Sequence, residues 1–178
     1  MMNKKIITVK SIYFILIFCL FSFLIFFLFL NQFSNREANE NQKTREQLAP
    51  TFNTKTIKGE DFSLQFNNSN STIITFWASW CPPCRKELPI LDEINNENMN
   101  VRIIGVNIDG DIRDAEKFVN QYNISFMSVI DEDFITIKYG VSKIPETFFI
   151  NQNGQIISRV SGNLTKDKIK KLIPRSSD

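Results

Sequence analysis

Apolar and polar positions divide the chain into three regimes. Residues 12–30 (IYFILIFCLFSFLIFFLFL) are continuously apolar apart from Ser22, and residues 31–49 are polar with few large apolar side chains. From Pro50 onward, short apolar runs alternate with amphipathic ones. Phe52–Thr56 and Phe62–Gln65 flank Lys58-Gly59-Glu60 and predict a hairpin. Thr72–Trp77 (TIITFW) is a short apolar run rich in β-branched residues, suited to a buried strand, and Val101–Asn107 (VRIIGVN) reads as another. Pro82–Ile94 places Leu88, Leu91 and Ile94 on one helical face, and Asp111–Gln121 does the same with Ala115, Phe118 and Val119. A short strand follows over Phe126–Ile130, then a helical turn over Asp133–Tyr139. Thr147–Ile150 and Gln155–Val160 flank Asn153-Gly154, the signal of a two-residue hairpin, and Lys166–Ile173 closes the chain as a helix. This order predicts an α/β sandwich: a mixed central β-sheet flanked by helices, with an amino-terminal β-hairpin.

The first regime predicts one transmembrane helix. Its 19 residues rise ~28 Å, close to the hydrocarbon thickness of a bilayer. No small-x-small cleavage site follows at Leu30-Asn31-Gln32-Phe33, so the segment reads as a retained anchor rather than a cleaved signal. Lys4, Lys5 and Lys10 precede it without an acidic residue, whereas Arg36, Lys43 and Arg45 are interleaved with Glu37, Glu40 and Glu46. The positive-inside rule then puts residues 1–11 in the cytoplasm as a basic stub, 12–30 in the membrane and the rest outside, in the periplasm or its equivalent. Residues 31–49 become a tether and 50–178 the folded domain.

Composition narrows the chemistry. The 178 residues contain no histidine and three cysteines. Histidine-dependent nucleophile pairs, His-ligated zinc and haem attachment through CxxCH are therefore excluded. Of the net charge of +2, three positive charges lie before the apolar run, leaving 18 basic against 19 acidic side chains beyond it. So balanced a domain has no electrostatic footprint for nucleic acid. Cys19 lies within the apolar run and reads as a small hydrophobe.

The chemistry is concentrated in Trp77-Ala78-Ser79-Trp80-Cys81-Pro82-Pro83-Cys84-Arg85-Lys86-Glu87. A Cys-x-x-Cys between a buried strand and a helix is a redox signal. A structural zinc site would need two more cysteine or histidine ligands, which residues 31–178 lack, and a structural bridge closing so short a loop stabilises by only about 2 kcal/mol. Cys81, at the helix amino terminus, has its thiolate favoured by the free N–H groups there and is the expected attacking sulfur. Cys84, one turn further in, resolves the mixed disulfide. Pro82 and Pro83 suit the first helical positions but remove two N–H donors from the thiolate. That leaves the Cys81 pKa nearer neutral and tilts the pair toward reduction.

The stretch FWASWCPPCRKELP resembles the active-site region of thioredoxin-fold thiol-disulfide oxidoreductases, and more closely that of the membrane-anchored TlpA/ResA/DsbE (CcmG) group. The segment Tyr139–Ile150, containing GVSKIPETFFI, is similar to the G-V-x-x-x-P-E-T-F block of the DsbE branch. The resemblance implies a thioredoxin-like sandwich with a redox-active Cys81–Cys84 disulfide. It implies that Pro145 is the cis-proline beside the dithiol and that the Ile144 backbone pairs with a bound substrate strand. Trp80, Pro82 and Pro83 would contact that substrate. Glu87, three residues after Cys84, matches the active-site glutamate of the group, with a solvated first-turn carboxylate as its plainer reading. Two positions depart from pattern. Thr75 stands where thioredoxin carries a buried aspartate, and Lys143 where DsbE relatives often carry glycine.

The group's role implies a periplasmic dithiol reductant for cytochrome c biogenesis, with no cofactor beyond the dithiol. Its substrate would be apocytochrome c or a maturation thiol carrier, and a DsbD/CcdA-type membrane protein would supply its electrons. The alternatives are a TlpA-like reductase serving another exported client, such as a copper-site assembly protein, and a non-catalytic dithiol module that binds copper or acts as a chaperone.

Overall fold

In a computed structural model, residues 20–27, 47–66, 70–97 and 100–174 are described. The contacts separate two units, 1–43 and 44–178. In the first, residues 20–27 form a helix (α1) with every side chain exposed. The greater part of the 12–30 run lies outside the described residues, and no helix among those described is long and apolar enough to cross a membrane.

The second unit is built on a five-stranded sheet. Its strands are β3 (Ser71–Trp77), β4 (Val101–Asn107), β5 (Met127–Ile130), β6 (Glu146–Ile150) and β7 (Ile156–Ser161), in the order β5-β4-β3-β6-β7. β3, β4 and β5 are mutually parallel, while β6 and β7 run antiparallel to their neighbours. A separate antiparallel hairpin, β1 (Asn53–Lys55) with β2 (Asp61–Ser63), joins the β5 edge through the Thr56–Val129 bridge and a hydrogen bond from Thr54 Oγ1 to the Ile130 carbonyl (2.8 Å). The thioredoxin-like α/β architecture with a mixed sheet is thus present in full.

β3 lies at the centre, and all seven of its residues are buried. Ile73 and Trp77 face the core under helices α2 (Cys84–Asn96), α3 (Ile112–Gln121) and α5 (Lys166–Leu172). Ile74 and Phe76 face a second core, closed by the hairpin and by α4 (Ile135–Lys138). Sequence alternation on one strand therefore fills two cores, as a sheet covered on both faces requires. Gly105 on β4 shows how closely the first is packed. A Cβ there would stand 2.7 Å from Trp77 Nε1 and 3.1 Å from both Phe126 and Ser128 Oγ. The close approach of the indole requires glycine at this position.

Two expectations are corrected. Helix α2 begins at Cys84, with Pro83 as its cap residue (φ −63°, ψ −36°), so Pro82 and Pro83 form the preceding turn rather than the first helical residues. The β6–β7 connection is longer than two residues: Asn151 and Gln155 close it, the Gly154 N–H donates to the Asn151 carbonyl (3.0 Å), and Gly154 has φ +79°. A two-residue type I′ turn needs positive φ at both central positions, and Asn153 does not have it. Instead the Asn151 side chain accepts from the N–H groups of Asn153 and Gln155 (3.0 and 2.9 Å), and Gly154 takes the single left-handed position.

Candidate active site

The loop that leaves the carboxyl end of β3 carries Cys81 and Cys84. Ala78 and Cys81 close its turn, with the Cys81 N–H donating to the Ala78 carbonyl (3.2 Å). Its conformation is held from two sides. The Asp109 carboxylate accepts from the Ser79 N–H (3.1 and 3.0 Å) and hydroxyl (3.0 Å), and Arg85 reaches the Ser79 carbonyl (3.3 and 3.4 Å). Asp109 is itself set by Asn107, whose side-chain amide donates to it (2.8 Å) and whose Oδ1 accepts from the Asp109 N–H (3.1 Å). Neither Asn107 nor Asp109 stood out in the sequence. Their only signal is position, at and just beyond the end of β4, the strand parallel to β3.

Cys81 and Cys84 form a disulfide with their Cα atoms 5.3 Å apart. Both are buried, at 2% and 0% exposure, so Cys81 is only marginally the more accessible of the two in the oxidised protein. Cys81 precedes α2 rather than sitting within its first turn. One donor of the helix terminus nevertheless reaches it: the Cys84 N–H lies 3.2 Å from Cys81 Sγ. Trp80 stands over the site as an exposed indole (61%), and Pro82 is exposed beside it, with Pro83 half-buried. Trp77 belongs wholly to the core.

The pairing of Phe76 with Glu146 brings the start of β6 to the same end of the sheet, so Pro145 falls opposite Trp77. The Ile144–Pro145 peptide bond is cis. Ile144 is half-buried between the two cores, Pro145 is buried, and Lys143 is exposed.

Glu87 is completely buried beneath this end of the sheet, which overturns the solvated-carboxylate reading. α2 carries it three residues beyond Cys84, on the same helical face. Its Oε1 accepts from the Thr147 hydroxyl (2.7 Å) and lies 3.4 Å from that of Thr75; its Oε2 accepts from the Leu164 N–H (3.1 Å). The two threonine hydroxyls are 3.0 Å apart. Desolvation by burial pushes the Glu87 pKa above its ordinary value, against the opposing pull of Thr147, Leu164 and Thr75. Thr75 therefore does not leave a gap where thioredoxin has its aspartate, because Glu87 reaches back to that position from the helix.

Glu146 is adjacent in sequence to Thr147 but points to the opposite face of the sheet. It is buried, and its carboxylate pairs with Arg159 from β7 (2.8 and 2.9 Å). Desolvation opposes its ionisation, but hydrogen bonds from Arg159, Ser161 and the Ser142 backbone outweigh that and hold its pKa below the ordinary value.

A disulfide closed across Cys-x-x-Cys, with a cis-proline at the same end of the sheet and a buried carboxylate one helical turn on, can exchange its bond with the thiols of another molecule. The protein is a thiol-disulfide oxidoreductase of the thioredoxin fold. The chain belongs to the redoxin family, whose pattern matches residues 44–173. It is similar to the thiol-disulfide oxidoreductase ResA of Geobacillus thermodenitrificans, at 32% identity over 68% of this chain and 72% of that one. Among solved structures it resembles StoA from Bacillus subtilis, with 31% identity, a TM-score of 0.61 and coverage of 70% of this chain and 97% of that one. It also resembles a secreted Mycobacterium tuberculosis disulfide oxidoreductase homologous to E. coli DsbE, with 26% identity, a TM-score of 0.62 and coverage of 67% and 92%. Relatives of both the ResA and the DsbE branch thus surround it.

Proposed function

We propose that the protein is a membrane-anchored extracytoplasmic dithiol reductant acting in cytochrome c biogenesis. The observation that carries the reducing direction is the set of donors around Cys81. Pro82 and Pro83 have no N–H, and the Cys84 N–H is the helix-terminal donor that reaches its sulfur. Weak stabilisation of the thiolate disfavours the dithiol form, and the pair then gives its electrons up readily. The apolar 12–30 run and the lysines before it support an anchor with the catalytic domain outside the membrane.

In the reaction, the Cys81 thiolate attacks one sulfur of a substrate disulfide and expels the other as a thiolate, which takes up a proton. Cys84, its proton passed toward Glu87, then attacks Cys81 Sγ and releases the second substrate thiol. Two electrons pass to the substrate, and the enzyme is left as the Cys81–Cys84 disulfide. No cofactor takes part. Trp80, Pro82 and Pro83 border the incoming chain, and the Ile144 backbone beside Pro145 pairs with it. Apocytochrome c, or a maturation thiol carrier, is the substrate, and a DsbD/CcdA-type membrane protein restores the dithiol. A tether raises the local concentration of the domain near such partners.

The reduced protein is expected to reduce the disulfide of a peptide containing an apocytochrome CxxCH sequence, releasing two thiols per enzyme molecule oxidised. Alkylation of the peptide's thiols after acid quenching, read by mass, checks this. A reduced protein that leaves the peptide disulfide intact would overturn the reading.

A further inference from the structure

The loop from Gly140 to Pro145 joins α4 to β6 and presents Ile144. It is fixed by an unusual concentration of bonds from one direction. Gly140, in the left-handed region (φ +62°), closes α4, and its carbonyl accepts from Arg159 Nη2 (2.6 Å). The same guanidinium makes a two-point pair with Glu146, Nε to Oε1 and Nη2 to Oε2. Glu146 also accepts from the Ser161 hydroxyl (2.6 Å) and from the Ser142 backbone within the loop. The Pro145 carbonyl accepts from the Gly162 N–H (2.9 Å). The Arg159 guanidinium lies 5.1 Å from the centre of the Phe148 ring, which limits its movement. One ion pair on the face of the sheet away from Glu87 thus ties the beginning and middle of the loop to the first residue of β6, and the Gly162 N–H holds its end.

We propose that the Glu146–Arg159 pair is a positioning device for substrate docking: it holds the Gly140–Pro145 loop so that Ile144 offers its backbone to an extended partner chain. The proposal rests on the reading of this loop as the substrate-pairing strand. Arginine suits the task because a planar fork fixes direction as well as distance, which a lysine ammonium cannot. The pair neither touches the sulfurs nor exchanges protons with them. Its loss therefore separates two activities. Small disulfides need only reach Cys81, whereas polypeptides must also dock on the loop.

The test compares Arg159→Gln and Arg159→Lys with the wild-type protein. Each is reacted, in the reduced state, with 5,5′-dithiobis(2-nitrobenzoate) and with a disulfide-bonded CxxCH peptide. Arg159→Gln is expected to react with the peptide about tenfold more slowly, through weaker binding rather than slower exchange at saturation. Its rate with the small disulfide, and its equilibrium constant with a glutathione redox buffer, should stay within twofold of wild type. Arg159→Lys, which keeps the charge and loses the fork, should fall between the two. Parallel losses with both disulfides, or a peptide rate for a folded Arg159→Lys equal to wild type, would overturn the proposal. A wild-type protein that reduces the small disulfide but no peptide would instead overturn the underlying reductase reading, a distinct result.

Discussion

A Cys84→Ser variant will accumulate as a covalent adduct with its substrate, joined through Cys81. The first exchange needs only the Cys81 thiolate, which the variant retains along with the turn from Ala78 to Cys81 and the Asp109 clamp on Ser79. The second exchange needs a sulfur behind Cys81. In the wild-type protein that sulfur is Cys84, fully buried and close enough to form the bond. No other cysteine exists in residues 44–178 to replace it. Turnover should fall by on the order of 10³-fold or more, the scale on which loss of a group acting as part of a unit is felt. Mass spectrometry should find the enzyme plus one substrate chain, released by dithiothreitol. Cys81→Ser should yield far less adduct, since Cys84 is the first residue of α2 and has no exposed surface, whereas Cys81 lies in the turn before it. Equal trapping by the two variants would mean that the order of attack assigned here is wrong.

The second large effect concerns Glu87. Glutamine fits the same space with its bonds rearranged: Oε1 can accept from the Leu164 N–H, and Nε2 can donate to the Thr147 hydroxyl, which in the wild-type protein donates to Oε1. The fold should therefore survive while the proton acceptor is lost. Glu87→Gln is expected to slow resolution of the mixed disulfide about 10²-fold, the contribution typical of a positioned acid or base, with attack by Cys81 unchanged. Stability supplies a second readout with a definite sign. Burial raises the Glu87 pKa above 4.5, so the folded protein binds more protons than the unfolded chain between that value and the raised one. Its contribution to stability is fully present below the ordinary value and is lost as pH rises through the raised one. Thermal midpoints of the oxidised proteins should accordingly shift in favour of Glu87→Gln between pH 4 and pH 8. A shift in the opposite direction would show that the carboxylate is stabilised in its charged form.

Much of this molecule is legible in its sequence because its signals are local. β4 runs over Val101–Asn107, the bounds that the sequence suggests, since Val101, Ile103, Ile104 and Val106 place apolar side chains on both of its faces. The start of α2 is less legible: two prolines are compatible with a first helical turn, and only the backbone shows that they form the turn before it. Asn153-Gly154 predicts a two-residue β6–β7 connection because Asn-Gly most often marks such a turn. The Asn151 side chain, bonding forward to residues 153 and 155, stabilises the longer one. At the site, the cysteines declare their chemistry through their spacing and their place between a buried strand and a helix. Glu87 carries no mark of burial in the sequence, since its threonine partners come from strands 12 and 60 residues away. Asp109 and Arg159 are less visible still. Each is an ordinary surface-type residue in sequence and acquires its task only when β4 and β7 bring it to the loops it holds.

The central claim is that the Cys81–Cys84 pair is a reductant, and its equilibrium with a glutathione or dithiothreitol redox buffer tests that most directly. Titration at pH 7, read by the Trp80 and Trp77 fluorescence or by alkylation of free thiols, is predicted to give a potential toward the thioredoxin end of the scale, about −270 mV. A value near −120 mV, that of a strong oxidant, would contradict the account.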